Sequence, residues 1–169
     1  MILLLNNFSA VADDMILHFH LMHPGGDSEP GDPNAAFHLD GTCHLHYILR
    51  HPWRGRVSYS FVHVTCTDML HWNWQPTTLQ PALTGHGMFS GTGFLTKDGR
   101  PAVVYHGQGS DRNFFAMAKD RALSAWEKPY PQEVEPAASI PEIFYWDPDC
   151  FLIDDTYYAR CPAAANSRC

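Results

Sequence analysis

The chain has 169 residues, enough to bury a core on its own, and is 45% hydrophobic, 17% charged and 13% aromatic. That composition excludes a disordered segment, a collagen-like repeat and a disulfide miniprotein. Eleven Lys+Arg against 18 Asp+Glu leave a net charge of −7, so the surface repels phosphate and anionic lipid, which argues against nucleic acid or a membrane as partner.

The first apolar run, Ile2 to Leu5, is too short for a signal sequence and has no basic residues before it. A cytoplasmic location is therefore expected. Cys43, Cys66, Cys150, Cys161 and Cys169 are odd in number and contain no CxxC. This speaks against a zinc ribbon and against a complete disulfide framework.

In chain order the sequence reads as short strands at Ala35–Leu39, Cys43–Leu49, Val57–Thr65, Gly93–Thr96, Ala102–Tyr105, Phe114–Ala118, Phe151–Ile153 and Thr156–Ala159. Asp40-Gly41 and Asp98-Gly99 predict two-residue hairpin turns, because glycine tolerates the positive φ of a type I′ turn. Asp154-Asp155 is a weaker signal of the same kind. Only Asp68–Trp72 and Arg121–Trp126 have room for a helical turn, so the expected class is all-β.

The turns also recur. Asp40 and Asp98 stand 58 residues apart, Asp98 and Asp154 56 apart. Small polar openings precede them: Asp32-Pro33-Asn34, Ser90-Gly91-Thr92 and Asp147-Pro148-Asp149. Three units of about 57 residues, each a few antiparallel strands, are the sequence form of β-propeller blades. The expected blades lie near 18–75, 76–135 and 136–160. First strands of successive blades line one channel, so the repeat predicts that Asp32, Ser90 and Asp147 meet. Two carboxylates at one channel mouth suit glycoside cleavage, whose oxocarbenium-like transition state needs a carboxylate at the anomeric carbon and an acid on the leaving oxygen. The alternative is that each Asp-Pro pair merely marks a strand entrance, its carboxylate taking nearby backbone N–H groups.

Gly31-Asp32-Pro33-Asn34, His63 with Thr67-Asp68-Met69-Leu70-His71-Trp72, Met88-Phe89-Ser90-Gly91-Thr92-Gly93 and Trp146-Asp147-Pro148 resemble, in order, the NDPNG, GHxxSxDxxHW, FSGS and RDP motifs of glycoside hydrolase family 32. The resemblance runs from about His18 to Ala159. It implies a five-bladed propeller, of which about three blades are present, and the retaining hydrolysis of fructosides such as sucrose, levan or inulin without a cofactor. It makes Asp32 the nucleophile and Asp147 the transition-state stabiliser, with Asn34, Phe89 and Ser90 gripping the fructosyl ring. Retention further implies carboxyls about 5–5.5 Å apart.

The chain departs from the family at several positions. Gly31 and Glu29 replace Asn and Trp, and His46-Tyr47-Ile48-Leu49 lacks the Gln of the FYQ strand. Trp146 replaces the Arg of RDP, where an aromatic ring suits stacking on a sugar face. Another furanoside, as in family 43 propellers, stays open. The family's acid/base comes from a Glu-Cys motif downstream of RDP. Here the chain stops 22 residues after Asp147, and Glu29, Glu127, Glu133, Glu135 and Glu142 are not followed by Cys. With a tail, 160–169, lacking strand alternation and expected to be disordered, this suggests a truncated product inactive for want of its acid, with open blade edges prone to self-association. The competing class is a non-catalytic sugar-binding or structural propeller fragment.

All eleven histidines lie at or before His106. His18-x-His20 and His44-x-His46 each put two imidazoles on one strand face, but no spacing selects a third ligand among His38, His63 and Asp40, so no metal is expected. Trp72 and Trp126 read as packing between sheets, and Trp146 as packing or sugar stacking.

Overall fold

Hairpin turns set the architecture. The structure, a computed structural model, describes residues 28–110, 112–128 and 146–161. Strands β1 (Glu29–Leu39), β2 (Thr42–Trp53), β3 (Arg56–Cys66) and β4 (Asn73–Trp74) form one antiparallel sheet in chain order. After a helical turn α1 (Pro81–Thr84), β5 (Met88–Leu95), β6 (Pro101–Gly107), β7 (Arg112–Ala118) and β8 (Trp126–Glu127) form a second such sheet. Strands β9 (Asp149–Ile153) and β10 (Thr156–Arg160) make a two-stranded third sheet. β1 packs beside β5 and β5 beside β9. The first strands of successive units therefore line up, as in propeller blades.

Asp40 and Gly41 both take positive φ, 51° and 78°, and close the β1–β2 hairpin between Leu39 and Thr42. This is the type I′ turn expected there. Arg54 and Gly55 do the same between β2 and β3, at 49° and 76°. Nothing in the sequence singles out that turn, because Arg seldom takes positive φ. The Asp98-Gly99 turn differs from expectation. Leu95 pairs with Pro101, the Thr96 N–H donates to the Arg100 carbonyl, and only Gly99 has positive φ. The loop is thus longer than two residues and ends in a left-handed glycine rather than being type I′. Asp154-Asp155 does connect β9 and β10 directly, with Ile153 opposite Thr156.

The helical turn is also not where it was expected. Asp68–Trp72 forms bends in which the Asp68 carboxylate accepts from the Leu70 and His71 N–H groups. Arg121-Ala122 is an ordinary turn. Pro81–Thr84 takes the helical turn, with proline at its start and Gly85 at φ 80° closing it. β10 reaches Arg160, and the remainder of the expected disordered tail, 162–169, lies outside the described residues. So do His18, His20 and parts of the expected blades, 18–27 and 129–145.

The main core fills the space between the first two sheets. Ala35, Phe37 and Leu39 of β1, Ile48 of β2 and Phe61 of β3 meet Met88, Val103, Tyr105, Phe114 and Ala116. Burying each large apolar side chain is worth about 1.5–3 kcal/mol. The sheets come close at Gly93, where an added Cβ would stand 2.5 Å from the Phe37 ring. β6 is buried throughout, because the third sheet covers the other face of the second through Phe94, Phe115 and Tyr157. The opposite face of the first sheet carries Tyr47, Val62 and Val64, with Trp72 packed on them. Trp126 is buried edge-on to His46. Trp126 thus packs between the sheets as expected, whereas Trp72 covers the outer face of the first sheet.

Candidate active site

Asp32 lies in β1 and Ser90 in β5, while Asp147 stands two residues ahead of β9. Because these strands run side by side, all three line one cavity of about 240 Å³, together with Pro33, Asn34, Gly91, Thr92 and Pro148. The Ser90 hydroxyl donates to Asp32 Oδ2 at 3.0 Å. Asn34 joins the same two strands: its Oδ1 accepts from the Gly91 N–H at 2.9 Å and its Nδ2 donates to the Asp32 carbonyl at 2.8 Å. Part of the Asn34 amide is thus committed to holding the frame. Asp32 and Asp147 are both exposed.

The strand β5 is bent to serve this cavity. Its pairing with β6 slips between Met88 and Gly91, a bulge that re-aims the intervening Phe89 and Ser90. Gly91 is obligatory there, since a Cβ would run into the Val104 carbonyl and stand 2.7 Å from Tyr105 Cα. Asp147 has φ 47° although it precedes a proline, a combination that sterics disfavour and that tertiary contacts must hold. Pro148 is fully buried and anchors it.

Phe89 and Trp146 belong to an aromatic stack beside the carboxylates. Trp146, 44% exposed, lies 5.1 Å from Phe89 and 4.5 Å from His106, centroid to centroid. Tyr59 of β3 backs Phe89 at 4.6 Å. His106 Nδ1 is bonded to Asn113 Oδ1 at 3.2 Å, which sets the ring's angle. The sequence reading missed His106 and Tyr59, since neither lies in a recognised motif. Thr92 and Asp149, which belong to the small polar openings of the second and third units, are bonded at 2.9 Å across 57 residues. The repeat spacing that pointed to Asp32 and Ser90 was their available signal.

The histidines form a separate feature. His44, His46 and His63 stack across β2 and β3, with His44 Nδ1 bonded to His63 Nε2 at 2.9 Å. His46 Nδ1 meets the Ala35 carbonyl at 3.3 Å. The rings are stacked rather than convergent, and among the described residues no group of three His, Cys, Asp or Glu side chains could hold a metal ion. Among those residues, too, no helix is long and apolar enough to cross a membrane.

Residues 30–167 match the profile of the N-terminal domain of glycosyl hydrolases family 32. The chain belongs to that family. Within family 32 it is similar to a cell wall β-fructofuranosidase of Zea mays, 31% identical over 118 residues, covering 64% of this chain and 20% of the relative. It is also similar to a raffinose invertase of Escherichia coli, 33% identical over 94 residues, covering 53% of this chain and 18% of the relative. The chain thus spans about a fifth of the length of these relatives. Among solved structures, sucrose-6-phosphate hydrolase of Lactobacillus gasseri superposes with a TM-score of 0.63 at 22% identity, covering 82% of this chain and 30% of that one. Fructan 1-exohydrolase IIa of Cichorium intybus gives 0.56 at 22%, covering 69% and 24%. At these identities the likeness concerns the fold, and it establishes the all-β, propeller-type class for this family 32 chain.

Proposed function

We propose that this chain supplies the nucleophile half of a fructoside-cleaving site that works by retaining double displacement. The supporting observation is the one cavity that Asp32, Asn34, Ser90 and Asp147 line together, with Ser90 bonded to Asp32. The activities named for the family 32 relatives point to a fructosyl unit in that cavity.

In this reading an Asp32 oxygen attacks the anomeric carbon as the bond to the leaving oxygen breaks, giving a covalent fructosyl-enzyme that water then hydrolyses. The Ser90 hydroxyl fixes the rotation of the attacking carboxylate. Asp147 accepts hydrogen bonds from sugar hydroxyls, which strengthen as positive charge develops on the ring. Asn34 offers its remaining amide proton. Trp146, braced from behind by Phe89 and His106, turns its open side to a sugar face in place of the charged contacts an arginine would make. No residue of this chain is assigned as proton donor.

A substrate that needs no proton donor tests this directly. β-D-Fructofuranosyl fluoride departs as fluoride, so incubation should leave one anhydrohexose on the protein, and peptide mass spectrometry should locate it on Asp32. No adduct on wild type, or an equal adduct on Asp32→Ala, removes Asp32 as nucleophile.

A further inference from the structure

Cys43 and Cys66 stand directly opposite each other where the β2–β3 ladder ends. Both are free thiols, and both lie on the sheet face that carries Tyr47, Val62 and Val64, because side chains alternate along each strand. Directly opposite residues of an antiparallel pair have Cα atoms about 4.5 or 5.5 Å apart, and both values fall inside the window a disulfide accepts. Their Cβ atoms need only a modest approach to reach disulfide spacing. Cys66 is the last residue of β3 and has no partner in β4, so its backbone is free to move toward Cys43, which is held between His38 of β1 and Cys66.

Access is asymmetric. Cys43 is half-buried, whereas Cys66 is 2% exposed and covered by the Met69 thioether, whose sulfur is 3.9 Å away. One thiol can meet an oxidant and the other can only meet its neighbour. That is the division between an attacking and a resolving cysteine.

We propose that Cys43 and Cys66 form a reversible dithiol–disulfide couple that fastens the end of the β2–β3 ladder, with a peroxide as oxidant. The Cys43 sulfur attacks one peroxide oxygen, the O–O bond breaks, and Cys43 becomes a sulfenic acid as one water leaves. The Cys66 sulfur then attacks Cys43. The S–S bond forms, the S–O bond breaks and a second water carries off the Cys66 proton. Two thiols thus lose two electrons and hydrogen peroxide gains them. Desolvation and the neighbouring Cys66 push the Cys43 thiol up from its ordinary value, so little thiolate exists at neutral pH and the reaction quickens toward pH 9. A bond drawn across adjacent strands carries strain, which makes it readily reducible. This couple does not depend on the fructoside reading.

Treating the purified chain with hydrogen peroxide, and separately with diamide, which takes up the same two hydrogens and spares methionine, tests the couple. Non-reduced peptide mapping should yield a Cys43–Cys66 linked peptide two hydrogens lighter, in monomeric protein, removed by dithiothreitol. Cys43→Ala should leave Cys66 alkylatable after treatment, and a variant with Cys150, Cys161 and Cys169 all changed to alanine should still form the bridge. Both thiols remaining fully alkylatable where glutathione is oxidised, or Cys43 joined instead to Cys150, Cys161, Cys169 or a second chain, overturns the proposal. The wild-type map decides even if a variant fails to fold.

Discussion

The Ser90 hydroxyl donates to Asp32 Oδ2 across 3.0 Å, although the two residues are 58 positions apart in the chain. Two more bonds repeat the relationship: Gly91 N–H to Asn34 and Thr92 to Asp149, each across 57 positions. The spacing matches the recurrence of the hairpin turns. Equivalent residues of successive units therefore hydrogen-bond to each other, and the cavity is built from these repeat-related contacts.

If Ser90 orients the nucleophile, Ser90→Ala should slow labelling by fructosyl fluoride by about tenfold, the scale of a lost bond to an exposed charged acceptor. Thermal stability should hardly move, because the bond is exposed. Unchanged labelling kinetics would detach Ser90 from the reaction.

The 169-residue chain should be labelled by the fluoride yet hydrolyse raffinose at least 10²-fold more slowly than the raffinose invertase of Escherichia coli, since general acid assistance is worth about 10²–10⁴. Reducing-sugar release measures this. Asp147→Asn should lower the labelling rate more than it weakens binding. Raffinose turnover within tenfold of that relative would mean that a proton donor in this chain has gone unassigned.

Two glycines separate steric need from conformational need. Gly91→Ala places a methyl into the Val104 carbonyl and should cost about 3 kcal/mol or more, displacing Ser90 with it. Gly99→Ala meets no atom within 4 Å and suffers only from its φ of 75°, a penalty of about 1–2 kcal/mol. Urea unfolding of both variants should return that order.

The histidine stack should make the protein acid-sensitive. Burial, and for each ring a neighbouring imidazole, hold His46 down at about 3 and His63 at about 4. Asp120 opposes this at His63, and Asp40 acts likewise at His44, which burial also lowers. The unfolded chain binds these protons near pH 6.5 and the folded one does not. Stability is therefore complete above about pH 6.5 and falls as pH drops toward 4, by about 1.4 kcal/mol per unit for each histidine. Denaturant midpoints between pH 7 and 5 should show the slope, and His46→Leu should reduce it. Carboxylates such as Asp68, held low by His71 and by the Leu70 and His71 N–H groups, act only at more acid pH and leave that window clear. A flat profile would count against a neutral, buried stack.

Much of this was legible in the sequence because it depends on local chemistry. Alternating apolar runs gave the eight principal strands, and Asp40-Gly41 gave its type I′ turn, since both depend on residues a few positions apart. The recurrence of Asp-Gly and Asp-Asp turns even carried long-range information, because a repeated unit fixes which positions become neighbours. The Arg54-Gly55 turn, the two-residue strands β4 and β8 and the helical turn at Pro81 were not legible. The two short strands are imposed by pairing with strands already in place, and the two turns carry only a single glycine each as a local signal. Tertiary structure alone decided that Tyr59, Phe89, His106 and Trp146 form one stack, that Gly91 is required by the Val104 carbonyl, and that Cys43 faces Cys66. Each depends on the register of strands distant in sequence, and register is set by how whole sheet faces bury their apolar side chains.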